Sequence, residues 1–107
     1  MPKRIGTAAL ILLATFVAGP ALAQIPGADT YKAKCAICHG PHGLADTPLG
    51  QVMKVQSFSS PEMMKAPDAQ FFASTLNGKG KMSGYKGKLT DAQIKDVLSY
   101  VRTLQKK

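Results

Sequence analysis

Cys35-Ala36-Ile37-Cys38-His39 sets two thiols and an imidazole within five residues. On a helix, positions i, i+3 and i+4 share one face, so Cys35, Cys38 and His39 point the same way. Two thiols about one turn apart can add to the two vinyl groups on one side of a haem, and the imidazole beside the second thiol then sits under the iron. C-x-x-C-H accordingly reads as covalent c-type haem attachment. Other chemistry can use the same residues. A thioredoxin-like redox pair needs alternating strands and helices around it, and strand-rich runs are lacking. A zinc site from Cys35, Cys38, His39 and His42 would crowd four ligands into eight residues, without the usual long gap between ligand pairs. A structural disulfide across so small a loop is rarer still.

The rest of the chain has to position these groups with little material. It has 107 residues, two cysteines and a formal charge of +8, from 14 Lys plus Arg against 6 Asp plus Glu. Lys3 and Arg4 precede an uncharged apolar stretch from Ile5 to Ala18; Gly19-Pro20 then breaks any helix, and Ala21-Leu22-Ala23 gives the small-x-small pattern of a signal cleavage site. The stretch is short for a membrane span, which needs about 20 residues. Residues 1–23 are therefore expected to be a signal peptide, and residues 24–107 the folded domain, with 84 residues and a net charge of +6. No stable membrane insertion is expected after cleavage, and the site of action is the periplasm, where oxidised thiols are permitted. A domain of this size buries a limited core and usually needs a metal, cofactor or disulfides. These numbers disfavour a multidomain enzyme, a repeat array and a disulfide scaffold.

Tyr31 to Gly40, Asn77 to Met82 (Asn-Gly-Lys-Gly-Lys-Met) and a C-terminal amphipathic helix ending near Tyr100 together resemble class I cytochrome c, the small bacterial kind. The resemblance spans essentially all of residues 24–107. It implies an all-α fold of three to four helices wrapped around one covalently bound haem c, attached through Cys35 and Cys38, with His39 as an iron ligand. The second ligand has four candidates besides Met1: Met53, Met63, Met64 and Met82. The family places its methionine in a Gly-rich loop some forty residues after the histidine, and Met82 follows His39 by 43. Asn77-Gly78 is a natural left-handed stop for a helix running from Asp68 to Leu76. His42 stands too close to His39 to reach the other haem face and reads as a surface residue. A family proline carbonyl accepts the Nδ1–H of the ligating histidine, fixing its orientation; Pro48 is the matching position.

Two helices are expected to build the container. Asp29 or Thr30 can cap the first, which carries Tyr31. Thr90-Asp91-Ala92-Gln93 fits a capping box, and Ile94, Val97, Leu98, Val101 and Leu104 follow as one apolar stripe. The resemblance implies that these helices cross near Tyr31 and Tyr100. Residues 50–65 show no clean period and read as an irregular wrap, with Val52, Val55 and Phe58 along the haem edge.

A six-coordinate His/Met iron has no open position for substrate, so the expected function is one-electron carriage between respiratory-chain partners rather than enzyme catalysis. Lys79, Lys81, Lys86 and Lys88 surround Met82 with no acid between Asp68 and Asp91, which suits redox partners with acidic docking surfaces. The protein is expected to be a monomer, and export argues against nucleic acid. Two alternatives remain: a haem subunit of a larger oxidoreductase, and a peroxidase or gas-binding haem protein if Met82 is labile. One departure from the family bears on the last. Met-Pro followed by an aromatic is usual, whereas this chain reads Met82-Ser83-Gly84-Tyr85, losing proline's fixed φ. A softer loop would let Lys79 or Lys81 displace the sulfur at raised pH. An alkaline titration of the ferric spectrum reads this directly: the Met signature is expected to fade before ordinary lysines ionise.

Overall fold

A computed structural model describes Gly6 and residues 25–106. The expected signal peptide, residues 1–23, lies outside the described residues apart from Gly6. The elements run α1 (Ala28–Lys34), α2 (Ala36–His39), α3 (Pro48–Val52), α4 (Pro61–Lys65), α5 (Asp68–Asn77), β1 (Gly78–Lys79), β2 (Met82–Ser83) and α6 (Asp91–Leu104). The fold is mostly helical, as expected, but with more pieces than the three to four helices read from the sequence. Much of the region expected to be irregular is organised by two five-residue helices, α3 and α4. Each starts with a proline in its first turn and a hydroxyl cap from Thr47 or Ser60, a local signal too short to show periodicity. No helix of the described residues is long and apolar enough to cross a membrane.

The framework is the crossing of α1 and α6. The apolar stripe of α6 is buried along its whole length, with Ile94 at 0 % and Val97 at 2 % exposure. Its capping box forms as the sequence predicts: Gln93 N donates to Thr90 Oγ1 (3.1 Å) and Thr90 N donates to Gln93 Oε1 (2.9 Å). The start of α1 differs from expectation. Its N-cap is Gly27, at φ 87°, with no side-chain cap, so Asp29 and Thr30 lie inside the first turn. A Cβ on Gly27 would fall on the backbone of Asp96 and Val97, so close approach to α6, rather than capping chemistry, fixes where α1 begins. Tyr31 is completely buried, and its ring meets Tyr100 at 5.2 Å between centroids with a 59° tilt.

At the other end of the core, Arg102 binds α6 to the start of α5. Its guanidinium contacts Asp68 Oδ1 at 2.8 Å, donates to the Ala66 carbonyl and lies over the Phe71 ring at 4.3 Å. Helix α5 ends one residue beyond its predicted limit. Gly78 has φ 83° and ψ 164°, so the chain leaves in an extended direction rather than the left-handed helical turn expected of Asn77-Gly78. It enters a two-stranded antiparallel ribbon in which Lys79 pairs with Met82 and Gly78 with Ser83.

Tyr31 generates a prediction. Its hydroxyl donates to the Gly40 carbonyl at 2.6 Å. Burial, followed by the neighbouring Cys35, Tyr100 and Asp46, raises its pKa well above the ordinary value. Tyr31→Phe removes the donor and leaves that carbonyl unpaired, so denaturant unfolding at neutral pH is expected to show a loss of about 1–3 kcal/mol. The raised pKa means that the unfolded chain releases this proton first as pH climbs past about 10, so the tyrosine's contribution falls there. Wild type and Tyr31→Phe should therefore converge in stability on the alkaline side.

Candidate functional site

A cavity of about 600 Å³ opens between the helices, lined by Cys35, Cys38, His39 and, from the far side of the sequence, Met82. Cys35 separates α1 from α2, and the backbone there continues helically enough for His39 N to donate to Cys35 O at 2.9 Å. The i, i+3, i+4 relation read from the sequence is thus retained across the break between the two helices. Both cysteines are partly buried, and no disulfide joins them. Burial pushes the Cys35 thiol up to about 11, with Lys34 lowering it and Cys38 raising it. Burial also lowers the pKa of His39, favouring the neutral imidazole, the form that ligates metal. The apolar walls come from Phe58 and Phe71 together with Val97, Leu98 and Val101 of α6.

Met82, Met53 and Met63 all line this cavity. Met64 does not; it is 48 % exposed. His42 is exposed and also outside the lining. Val55 and Phe58 face the cavity, but Val52 is 74 % exposed and takes no part in it. It is the last residue of α3, a helix that the sequence pattern did not reveal. Among the described residues, no group of three His, Cys, Asp or Glu side chains converges in a way that could hold a metal ion.

The hydrogen bond expected from His39 to Pro48 is not made. His39 Nδ1 is buried and has no partner, and Pro48 is an exposed residue outside the cavity lining. Pro48 instead occupies the first turn of α3. The link between α3 and the C-x-x-C-H segment is made instead by Thr47, whose hydroxyl donates to Ile37 O at 2.6 Å. The imidazole itself is held by a ring. Phe58 stacks on His39 at 4.5 Å between centroids, only 12° from parallel, and Phe58 meets Phe71 edge-on at 6.1 Å.

Two further residues escaped the sequence reading. Gln105 is buried just past the apolar stripe, and its Nε2 donates to Phe58 O (2.9 Å) and Met63 O (3.3 Å). It fixes the segment that carries the stacking ring, and one buried polar side chain after an apolar stripe is a weak signal in sequence. Ala45, left-handed at φ 54°, donates its amide to His39 O at 2.8 Å. No composition cue marks an alanine for that conformation.

Comparison with known proteins decides the family. The family model described as cytochrome C oxidase, cbb3-type, subunit III matches residues 23–101. A cytochrome c6 from Nostoc sp. is 33% identical over 105 residues, covering 92% of this chain and 91% of that protein. A cytochrome c6 from Synechococcus sp. is 33% identical over 94 residues, covering 86% and 81% respectively. The chain belongs to the class I c-type cytochromes. The solved KustC0563 c-type cytochrome has the same fold, with a TM-score of 0.69 at 30% identity, covering 77% of this chain and all of that one. Membership makes the protein a c-type cytochrome electron carrier rather than an enzyme, working with redox partners. The family implies a covalently bound haem c with its iron as the cofactor. The cavity fits such a group: it is roomy, mostly apolar, and carries a thiol pair and a neutral imidazole.

Proposed function

We propose that this cytochrome is a periplasmic one-electron carrier whose haem is attached through Cys35 and Cys38 and ligated by His39 and Met82. The observation that carries the reading is that residues 43 apart in sequence, His39 and Met82, line one cavity together with both cysteines. A bound haem supplies a reversible one-electron couple, and thioether with imidazole raises its potential relative to two imidazoles. The residues' work is to hold and to exclude. Phe58 stacking restrains the His39 ring, while Phe71, Val97 and Val101 keep water from the interior wall. A packed site of this kind changes little between oxidation states, which suits fast exchange. Residues 1–23 serve as the export signal and residues 24–107 as the working domain.

Encounter is governed by charge. Lys79 and Lys81 lie at the cavity, and with Lys86 and Lys88 they are exposed. Among the described residues none of the four forms an ion pair. Such an uncompensated patch attracts acidic docking surfaces and raises association rates at low salt. The working form is a monomer that makes small, short-lived complexes. The matching family model, named for a cbb3-type oxidase subunit, favours one second reading: a haem subunit that works inside a larger oxidoreductase. Native mass of the protein purified from its own host separates the two.

Maturation and optical spectroscopy test the site. Replacing Cys35 and Cys38 by serine should abolish haem that survives a denaturing gel. Wild type is expected to show the weak far-red ferric band of iron–thioether coordination and to exclude CO when reduced. Met82→Ala should lose the band and bind CO at once, while Met63→Ala keeps the wild-type spectrum. A Met82→Ala protein that kept the band would transfer the ligand role to another methionine. The charge reading is tested by reversing Lys79 and Lys86 to glutamate. Oxidation by anionic ferricyanide should slow by about two- to tenfold at low ionic strength and recover at high salt, while a cationic cobalt oxidant shows the opposite trend.

A further inference from the structure

The Met82 loop lacks the proline that would stiffen it, and the structure supplies other restraints. Most run back to α5, the helix the loop has just left. Gly84 packs so closely that a Cβ there would lie 2.5 Å from the Asn77 carbonyl carbon and 2.7 Å from Leu76 O. Beside it, Tyr85 N donates to Thr75 O (2.9 Å) and Lys86 N to Leu76 O (3.0 Å). A loop fastened to one helix can still swing relative to the opposite wall of the cavity. Among the hydrogen bonds of the described residues, one crosses to that wall beside Cys35. Tyr85 Oη donates to Lys34 O at 3.1 Å, across 51 residues of sequence. Lys34 is the last residue of α1, where helix carbonyls lack intrahelical donors, and Cys35 follows directly.

We propose that Tyr85 is a positioning residue for Met82, its hydroxyl latching the Met82 loop to the end of α1 so that the sulfur stays at the cavity shared with His39 and the cysteines. The proposal rests on the reading of Met82 as the sulfur ligand. Its physics is that of a second anchor. With contacts to α5 alone, the loop keeps a swinging motion about Gly78; the bond to Lys34 removes it, because the two walls must then move together. The tyrosine ring is half-buried and packs against the core, so Tyr85→Phe removes the latch and keeps the packing.

The test compares wild type with Tyr85→Phe as mature haem proteins. Expected for the variant are loss of the far-red ferric band at a lower temperature, CO binding to the ferrous form faster by about three- to tenfold, the range one hydrogen bond commands, and faster amide exchange in residues 78–83. Helix melting by circular dichroism should stay at the wild-type midpoint. Unchanged CO binding and band stability in Tyr85→Phe would overturn the latch. A helix midpoint that falls in step with the band would also overturn it, since the hydroxyl would then be supporting the whole fold. A wild-type protein with no far-red band, binding CO freely, would overturn the Met82 reading and the latch with it. Tyr85→Leu, which lacks hydroxyl and ring alike, is expected to release Met82 at least as readily; retention of Met82 in that variant would overturn the proposal as well.

Discussion

The rest of the molecule depends on how closely α1 approaches α6. Gly27 allows the start of α1 to touch the α6 backbone at Asp96 and Val97, and Tyr31 then reaches full burial against Tyr100. From that crossing two results follow. The stripe of α6 becomes a dry wall, each buried aliphatic contributing about 1.5–3 kcal/mol. The end of α1 is also fixed in space, and the cysteine–histidine segment starts at that end. Tyr31 extends the same constraint by donating to Gly40 O, so both ends of the C-x-x-C-H segment are referred to one buried side chain. A residue larger than glycine at position 27 would therefore displace the C-x-x-C-H segment as well as the helix.

The imidazole side of the cavity is organised by packing where a hydrogen bond was expected. His39 Nδ1 is buried and has no protein hydrogen-bond partner among the described residues. The stacked Phe58 ring restrains the plane of His39 without satisfying that atom. Phe58 is in turn held from two directions, by Phe71 at its edge and by Gln105 at its backbone. Gln105 lies at the end of α6, so the C-terminus of the chain sets the orientation of a residue near its middle. Arg102, one turn earlier, steadies the Phe71 ring and the start of α5 together.

Sequence reading captured features that are local or periodic. The α6 stripe, the Thr90–Gln93 capping box, the α5 helix and the C-x-x-C-H spacing depend on residues within a few positions of one another, and each appears where the pattern put it. Met82 was selected from four methionines by loop chemistry and family resemblance, and the cavity lining then excludes Met64 alone. Readings that depended on long-range approach fared differently. Gly27 in place of an Asp29 or Thr30 cap, the Thr47 link in place of Pro48, and Val52 turned to solvent all reflect which element packs beside which. Short helices such as α3 and α4 bury too few residues to produce a period, so their proline and hydroxyl starts were the only trace they left.

The Ser83-Gly84 departure shows what a local reading of a loop leaves out. By propensity, losing a proline and gaining a glycine loosens a chain. Here the glycine is required because the backbone at position 84 presses on the end of α5, where any side chain would collide. The ribbon pairing Lys79 with Met82 adds backbone hydrogen bonds on the same segment. Such restraint as the segment has thus comes from contact rather than from a restricted dihedral. It also leaves Lys79 on the ribbon and Lys81 in its turn, both exposed, beside the residue that the electron-transfer reading needs most. The same short ribbon carries Met82 and its cross-strand partner Lys79 at one cavity, the lysine exposed, so ligand geometry and partner attraction depend on one backbone conformation.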